Sequence, residues 1–98
     1  MFIIREIFKL RFGAYKEAKL LLDEAEKQGL MPKAQSKRVL TDFTGDSYRL
    51  IFEEGFNSLA DYERSLSASM NEDLWKRWYE KFKPLVSSSH REILKQVA

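Results

Sequence analysis

Residues 2–13 read FIIREIFKLRFG, and the fold turns on how their side chains alternate. A strand's period of two sets Phe2, Ile4, Phe8, Leu10 and Phe12 on one face, with Glu6 among them. Ile3, Arg5, Ile7, Lys9 and Arg11 fall on the other face. Both faces thus carry large apolar residues, and Gly13 breaks the run.

Working outward, the period changes at Ala14. Ala14, Ala18, Leu21, Leu22 and Ala25 follow helical spacing, with Lys16, Lys19, Asp23, Glu24, Glu26 and Lys27 on the wet side. Asp23 and Lys27 read as an i,i+4 ion pair. Gly29 is placed to stop this helix, with Pro32 just beyond. The runs 34–44 and 47–54 are strand-like and separated by Gly45 and Asp46, which predicts a β-hairpin with a two-residue connection.

Ser58 then caps a second helix, and Asp61 completes an S-x-x-D variant of the capping box. Leu59, Tyr62, Leu66 and Met70 share its apolar side. Asn71, Glu72 and Asp73 read as a fresh helix start, followed by Leu74, Trp75, Trp78, Tyr79 and Phe82 on a broad apolar face that Pro84 ends. The serines 87–89 read as a loop, and residues 90–97 as a last strand holding Ile93, Leu94 and Val97.

The predicted order is β-α-β-β-α-β with the second helix broken in two. It gives one α+β domain, 1–98, of ferredoxin-like type: a four-stranded antiparallel sheet with its helices on one face. Helices dry only that face, yet Ile3, Ile7, Ile51 and Val39 are assigned to the other. Pairing two such sheets face to face would bury it, so a homodimer is expected.

Composition narrows the function. The chain has 98 residues, is 44% hydrophobic and 33% charged, and carries seven Phe, four Tyr and two Trp. Seventeen basic and fifteen acidic residues are interleaved, so no basic stripe speaks for nucleic acid. The absence of cysteine excludes disulfides, thiolate metal sites and cysteine nucleophiles, and fits a reducing compartment. The first ten residues hold Arg5 and Glu6 within their apolar run and do not read as a signal peptide, nor does any run reach membrane-spanning length. A cytoplasmic protein is the expectation, with no membrane partner.

With the order placed, SLADYERSL at 58–66, Trp75 and Tyr79, KPLV at 83–86 and Ile93–Leu94 resemble the NIPSNAP-like proteins of the dimeric α/β barrel superfamily. The resemblance covers about 40 residues well and the first half weakly. It implies a ferredoxin-like fold whose sheets pair into a barrel. It implies no agreed chemistry, since the wider superfamily includes oxygenases, haem-handling enzymes and proteins of unknown activity. The family's first strand tends to carry Arg-x-Tyr ahead of a glycine. With one residue inserted, Arg5 takes the arginine place and Ile7 the tyrosine place; without it, Glu6 and Phe8 do. The insertion is preferred because it turns Phe2, Ile4, Phe8, Leu10 and Phe12 towards the helices and Arg5, Arg49 and Glu53 towards the barrel interior.

Each candidate site residue has a plainer structural role beside the chemical one. His90, the single histidine, could serve as a base or haem ligand at the barrel mouth. It equally suits a polar position at a strand entrance, and a lone histidine argues against a histidine-rich metal site. Arg5, Arg49 and Glu53 could hold an anionic ligand if neighbouring strands bring the arginines together, or form an ordinary cross-strand ion pair. Trp75, Trp78, Tyr79 and Phe82 could line a pocket for a flat ligand, but their helical spacing suits a core. Glu53 and Glu54 point to opposite faces and cannot act as an acid–base pair. No glycine elbow adjoins the serines, and no phosphate-binding loop occurs.

The resulting expectation is a NIPSNAP-like homodimer without metal or other cofactor, a non-catalytic binding or interaction module with a small barrel-side pocket for a small-molecule ligand. The alternative is a cofactor-independent monooxygenase or haem-handling enzyme acting on an aromatic or apolar small molecule.

Overall fold

The two-faced strand forms as β1, Phe2–Leu10, and lies second from one edge of the sheet. The structure is a computed structural model that describes every residue except Pro32, Ser47, Asn71 and Glu72, and the side chains of Ser69 and Met70. The expectations for Pro32, for Asn71 and Glu72, and for the Met70 side chain fall outside the described residues.

The remaining elements are α1 (Tyr15–Lys27), β2 (Ser36–Thr41), β3 (Arg49–Phe56), α2 (Leu59–Met70), α3 (Asp73–Phe82), a 3₁₀ turn over Lys83–Leu85 and β4 (Val86–Lys95). The four strands run antiparallel in the order β2-β3-β1-β4, and the architecture is ferredoxin-like α+β. Helix α1 ends in a Schellman arrangement. Gly29, at φ +67°, sends its N–H to the Glu26 carbonyl, and Leu30 sends its own to Ala25. Leu30 then packs into the core. Ser58 caps α2 as its sequence suggests, its Oγ accepting from the Asp61 N–H at 3.1 Å.

The core lies between helices and sheet. Ala18, Leu21, Leu22 and Ala25 of α1 and Trp78 and Phe82 of α3 pack on Leu10, Leu50 and Phe52. Phe82 meets Phe8 edge to face at 5.1 Å and stacks on Trp78 at 4.9 Å. The Trp78 Nε1–H, which burial would otherwise strand, donates to the Leu21 carbonyl at 2.6 Å. A second, smaller cluster of Ile4, Phe56 and Tyr62 seats α2 on the sheet.

Several local expectations give way to tertiary structure. Phe12 lies beyond the end of β1 and is 90% exposed, resting on Tyr48. The hairpin loop spans 42–48 rather than two residues, because Arg49 turns back onto Asp42 at 2.8 Å and Thr41 Oγ1 donates to the Arg49 carbonyl. Val39 pairs with Phe52 on the helix face, so Leu40 rather than Val39 faces the open side. Asp23 takes Lys19, one turn earlier, at 2.6 Å instead of Lys27. Leu59 and Leu74 are exposed rather than packed.

The serine run is strand, not loop. Ser88 and Ser89 pair with Lys9 and Phe8, and the register shift beside Leu10 leaves Ser87 as the extra residue of a bulge. Its hydroxyl donates to the Lys9 carbonyl at 3.0 Å. An edge strand asks for little burial, so three serines fit it, and Ile93 and Leu94 stay half-exposed. Val97 lies past the strand and is 90% exposed.

Candidate functional site

The face of the sheet away from the helices is built from alternate residues of all four strands. Antiparallel register lines them up in rows. Arg38, Glu53, Arg5 and Glu92 form one row, and Leu40, Ile51, Ile7 and His90 the next; Gly55, Ile3 and Leu94 lie to the other side of the charges. The charged row alternates in sign. Glu53 is nearly buried and accepts from Arg38, with Nε at 3.1 Å, while Arg5 Nε lies 3.2 Å away and Arg5 Nη1 3.6 Å from Glu92. The result is an ion-pair ladder with apolar side chains on both flanks.

Arg5, Arg49 and Glu53 all occupy this face, as the strand period predicts. The structure joins Arg5 to Glu53 but does not bring Arg49 to Arg5. Arg49 pairs across from Lys9, four residues along β1, and is held by Asp42, whose hydrogen bond raises its pKa. A two-arginine anion clamp is therefore not formed. His90 lies mid-strand in β4, exposed, with Ile7 rather than a carboxylate as cross-strand neighbour. Among the described residues, no group of three or more His, Asp or Glu is placed to hold a metal ion.

The aromatic stripe divides along α3. Trp78 and Phe82 are core, Trp75 stacks on Trp78 at 5.3 Å, and Tyr79 stands 43% exposed against Trp75. Tyr79 and Phe82 line a shallow hollow of about 210 Å³ with Phe8, Val86 and the three serines. A larger cleft of about 670 Å³ opens on the helix side, between the 29–35 segment and α2. Leu30, Met31, Ala34 and Phe56 floor it; Lys33 and Arg64 stand at its polar lip. Its volume is within the range of small-molecule sites. Neither hollow is lined by Arg5, Arg49, Glu53 or His90.

Glu54, weighed in the sequence only as a partner for Glu53, proves distinctive by itself. Glu54 points to the helix face and is only 6% exposed, and its Oε2 has no hydrogen-bond partner. Burial is the main cause that pushes its carboxyl up to about 7; Lys37 and Arg91 oppose this, while Glu6 and Glu26 add to it. Tyr62 of α2 is equally buried, its hydroxyl also unpartnered, and burial raises its pKa as well. Beside them Arg91 is paired with Glu6 and stands 5.9 Å over the Tyr62 ring. The signal was present in the sequence: Glu54 shares the face of Leu50, Phe52 and Phe56, an acid within an apolar series.

The sequence matches no family model, and no curated protein matches it. Backbone comparison is informative. A NIPSNAP family protein from Agrobacterium tumefaciens superposes with a TM-score of 0.88 at 20% identity, covering 98% of this chain and 85% of that one. An uncharacterised NIPSNAP domain protein from Burkholderia xenovorans gives 0.85 at 12% identity, with 100% and 96% covered. Its structural neighbours are NIPSNAP family proteins. An antibiotic biosynthesis monooxygenase superposes on this chain with a TM-score of 0.74 at 14% identity, both chains covered fully. At these identities the likeness is one of backbone path, and the roles of Arg5, Glu53, Glu54 and His90 rest on this chain's own geometry.

Proposed function

We propose that this chain is a NIPSNAP-like dimeric α/β-barrel protein, a non-catalytic module for binding or interaction whose copies close their open sheet faces on each other. The observation that carries the reading is the two-row pattern of that face. A two-fold axis parallel to the strands reverses each row. Arg38–Glu53–Arg5–Glu92 then meets its own reverse, so that every cation faces a carboxylate, while Ile51 and Ile7 of the next row meet each other and Leu40 meets His90. The exposed surface supports it further. A monomeric chain of this mass exposes about 5,800 Å² on average, and this one exposes 6800 Å².

A small-molecule site is offered by the 670 Å³ cleft, on the helix side rather than the barrel side expected from the sequence, and it stays open when the sheets pair. Light scattering after size exclusion tests the assembly. A mass of twice 11.6 kDa is expected at micromolar concentration, and a stable monomer would overturn the reading.

The alternative, a cofactor-independent monooxygenase or haem-handling enzyme, is favoured by the fold likeness to the antibiotic biosynthesis monooxygenase. Haem titration followed in the Soret band and oxygen uptake on quinols are expected to stay flat. An activity lost in His90→Ala with folding intact would establish the alternative instead.

A further inference from the structure

Glu54 is buried with one carboxyl oxygen left unpartnered, which is costly for its charged form. It sits on β3 across from Ile4, one of the residues that seat α2, and both its Oε2 and the hydroxyl of Tyr62, which feels its charge, lack hydrogen-bond partners. The groups that face Glu54 come from every element around it. Glu6 on β1 is committed to Arg91 of β4 by an ion pair. Lys37, opposite on β2, stands exposed at the sheet edge. Glu26 of α1 and Glu6 add negative potential, and Tyr62 comes from α2. Among the described residues, no cation is thus left in hydrogen-bonding contact to hold a carboxylate at this position.

The attachment of α2 is correspondingly local. It rests on the small cluster of Ile4, Phe56 and Tyr62, with Leu66 and Ala34 packed beside it, separate from the main core under α1 and α3. Tyr62 meets Phe56 at a tilt, with ring centroids 5.4 Å apart. The same helix forms one wall of the large cleft through Asp61, Arg64, Ser65 and Ala68, and Phe56 belongs to both cleft and cluster.

We propose that Glu54 and Tyr62 form a proton-operated latch that seats α2 on the sheet while Glu54 is neutral and loosens it when Glu54 ionises. A neutral carboxyl tolerates the apolar setting beside Ile4 and the cluster that seats α2. An ionised one demands water, and the nearest way to admit water is to lift α2, which widens the cleft at the same time. The sign follows from the raised titration of Glu54, about 7 against 4.5 for the free side chain. The closed state is favoured below 4.5, and that preference is lost as pH climbs through 7. Between pH 6 and 8 the open-to-closed ratio of α2 increases roughly tenfold.

Amide hydrogen exchange on the wild-type chain tests this, with α1 as the internal reference that cancels the intrinsic pH dependence. Protection of α2 relative to α1 should fall roughly tenfold from pH 6 to pH 8. A ¹³C-carboxyl titration of Glu54 with its midpoint near 7 should accompany the change. Equal loss in α1 and α2, an unchanged ratio, or a midpoint in the ordinary carboxylate range would overturn the latch. In Glu54→Gln the pH response of α2 should vanish. Tryptic cleavage after Arg64, compared with wild type at the same pH, gives a second readout; a wild-type-to-variant ratio that stays constant from pH 6 to 8 would also overturn it. None of these outcomes depends on dimerisation.

Discussion

At the scale of single residues, two buried polar groups show how differently the same requirement can be met. Trp78 solves its burial with one hydrogen bond to the Leu21 carbonyl. Trp78→Phe keeps most of the ring stack on Phe82 but removes this hydrogen bond and part of the ring's buried volume, so a loss of about 1–3 kcal/mol is expected in denaturant unfolding. Glu54 leaves its need unmet. Its raised titration, near 7 against 4.5, makes it a stabilising neutral acid at low pH and a liability above neutrality. Glu54→Gln should therefore raise the melting temperature at pH 8 and change little at pH 5. The gain at pH 8 is bounded by about 3 kcal/mol, less the amide's own burial cost. Thermal scans at both pH values check it. The residue roles of Arg5, Glu53 and Trp78 were legible from strand and helix periods. The fate of Arg49 was not, because a loop residue, Asp42, captured it.

At the scale of elements, local chemistry was legible wherever a boundary has its own signature. The α1 stop at Gly29 and the α2 cap at Ser58 both depend on a few adjacent atoms. Gly29 is held at φ +67° with open space around the position a Cβ would occupy. Gly29→Ala is thus expected to cost about 1 kcal/mol through backbone strain alone, seen as a lower melting temperature with the same fold by circular dichroism. Strand limits were less legible. Three serines carry little strand propensity, yet 87–89 join β4 because the exposed hydrogen-bonding edge of β1 is there to pair with. Likewise the hairpin opened into a longer loop through the Arg49–Asp42 pair, a contact that a turn-residue rule does not see.

At the scale of the whole molecule, the uncovered sheet face is the dominant feature. Ile7 is at its centre, between Ile51 and His90, and its side chain is remote from the core under the helices. In the proposed dimer a lysine at this position would be buried against its own copy without a carboxylate, so Ile7→Lys is expected to leave the chain folded and monomeric in light scattering. The charge ladder adds a dependence on salt. It is partly buried already in one copy, so raising ionic strength is expected to weaken the proposed association only modestly. Among the described residues, no helix is long and apolar enough to cross a membrane.

The sequence by itself determined the element order, the sheet-with-helices layering and which residues of β1 look each way. Periods of two and 3.6, a capping serine and a stopping glycine are local properties, written in neighbouring residues. Tertiary structure decided the rest. Whether Arg5 meets Arg49 or Glu53, whether Val39 or Leu40 faces outward, and whether Glu54 finds a partner all depend on strand register and on what α2 covers. Those are relations between residues far apart in the chain. A shift of one position in β2 or a different seat for α2 would leave every local signal intact and change each of them.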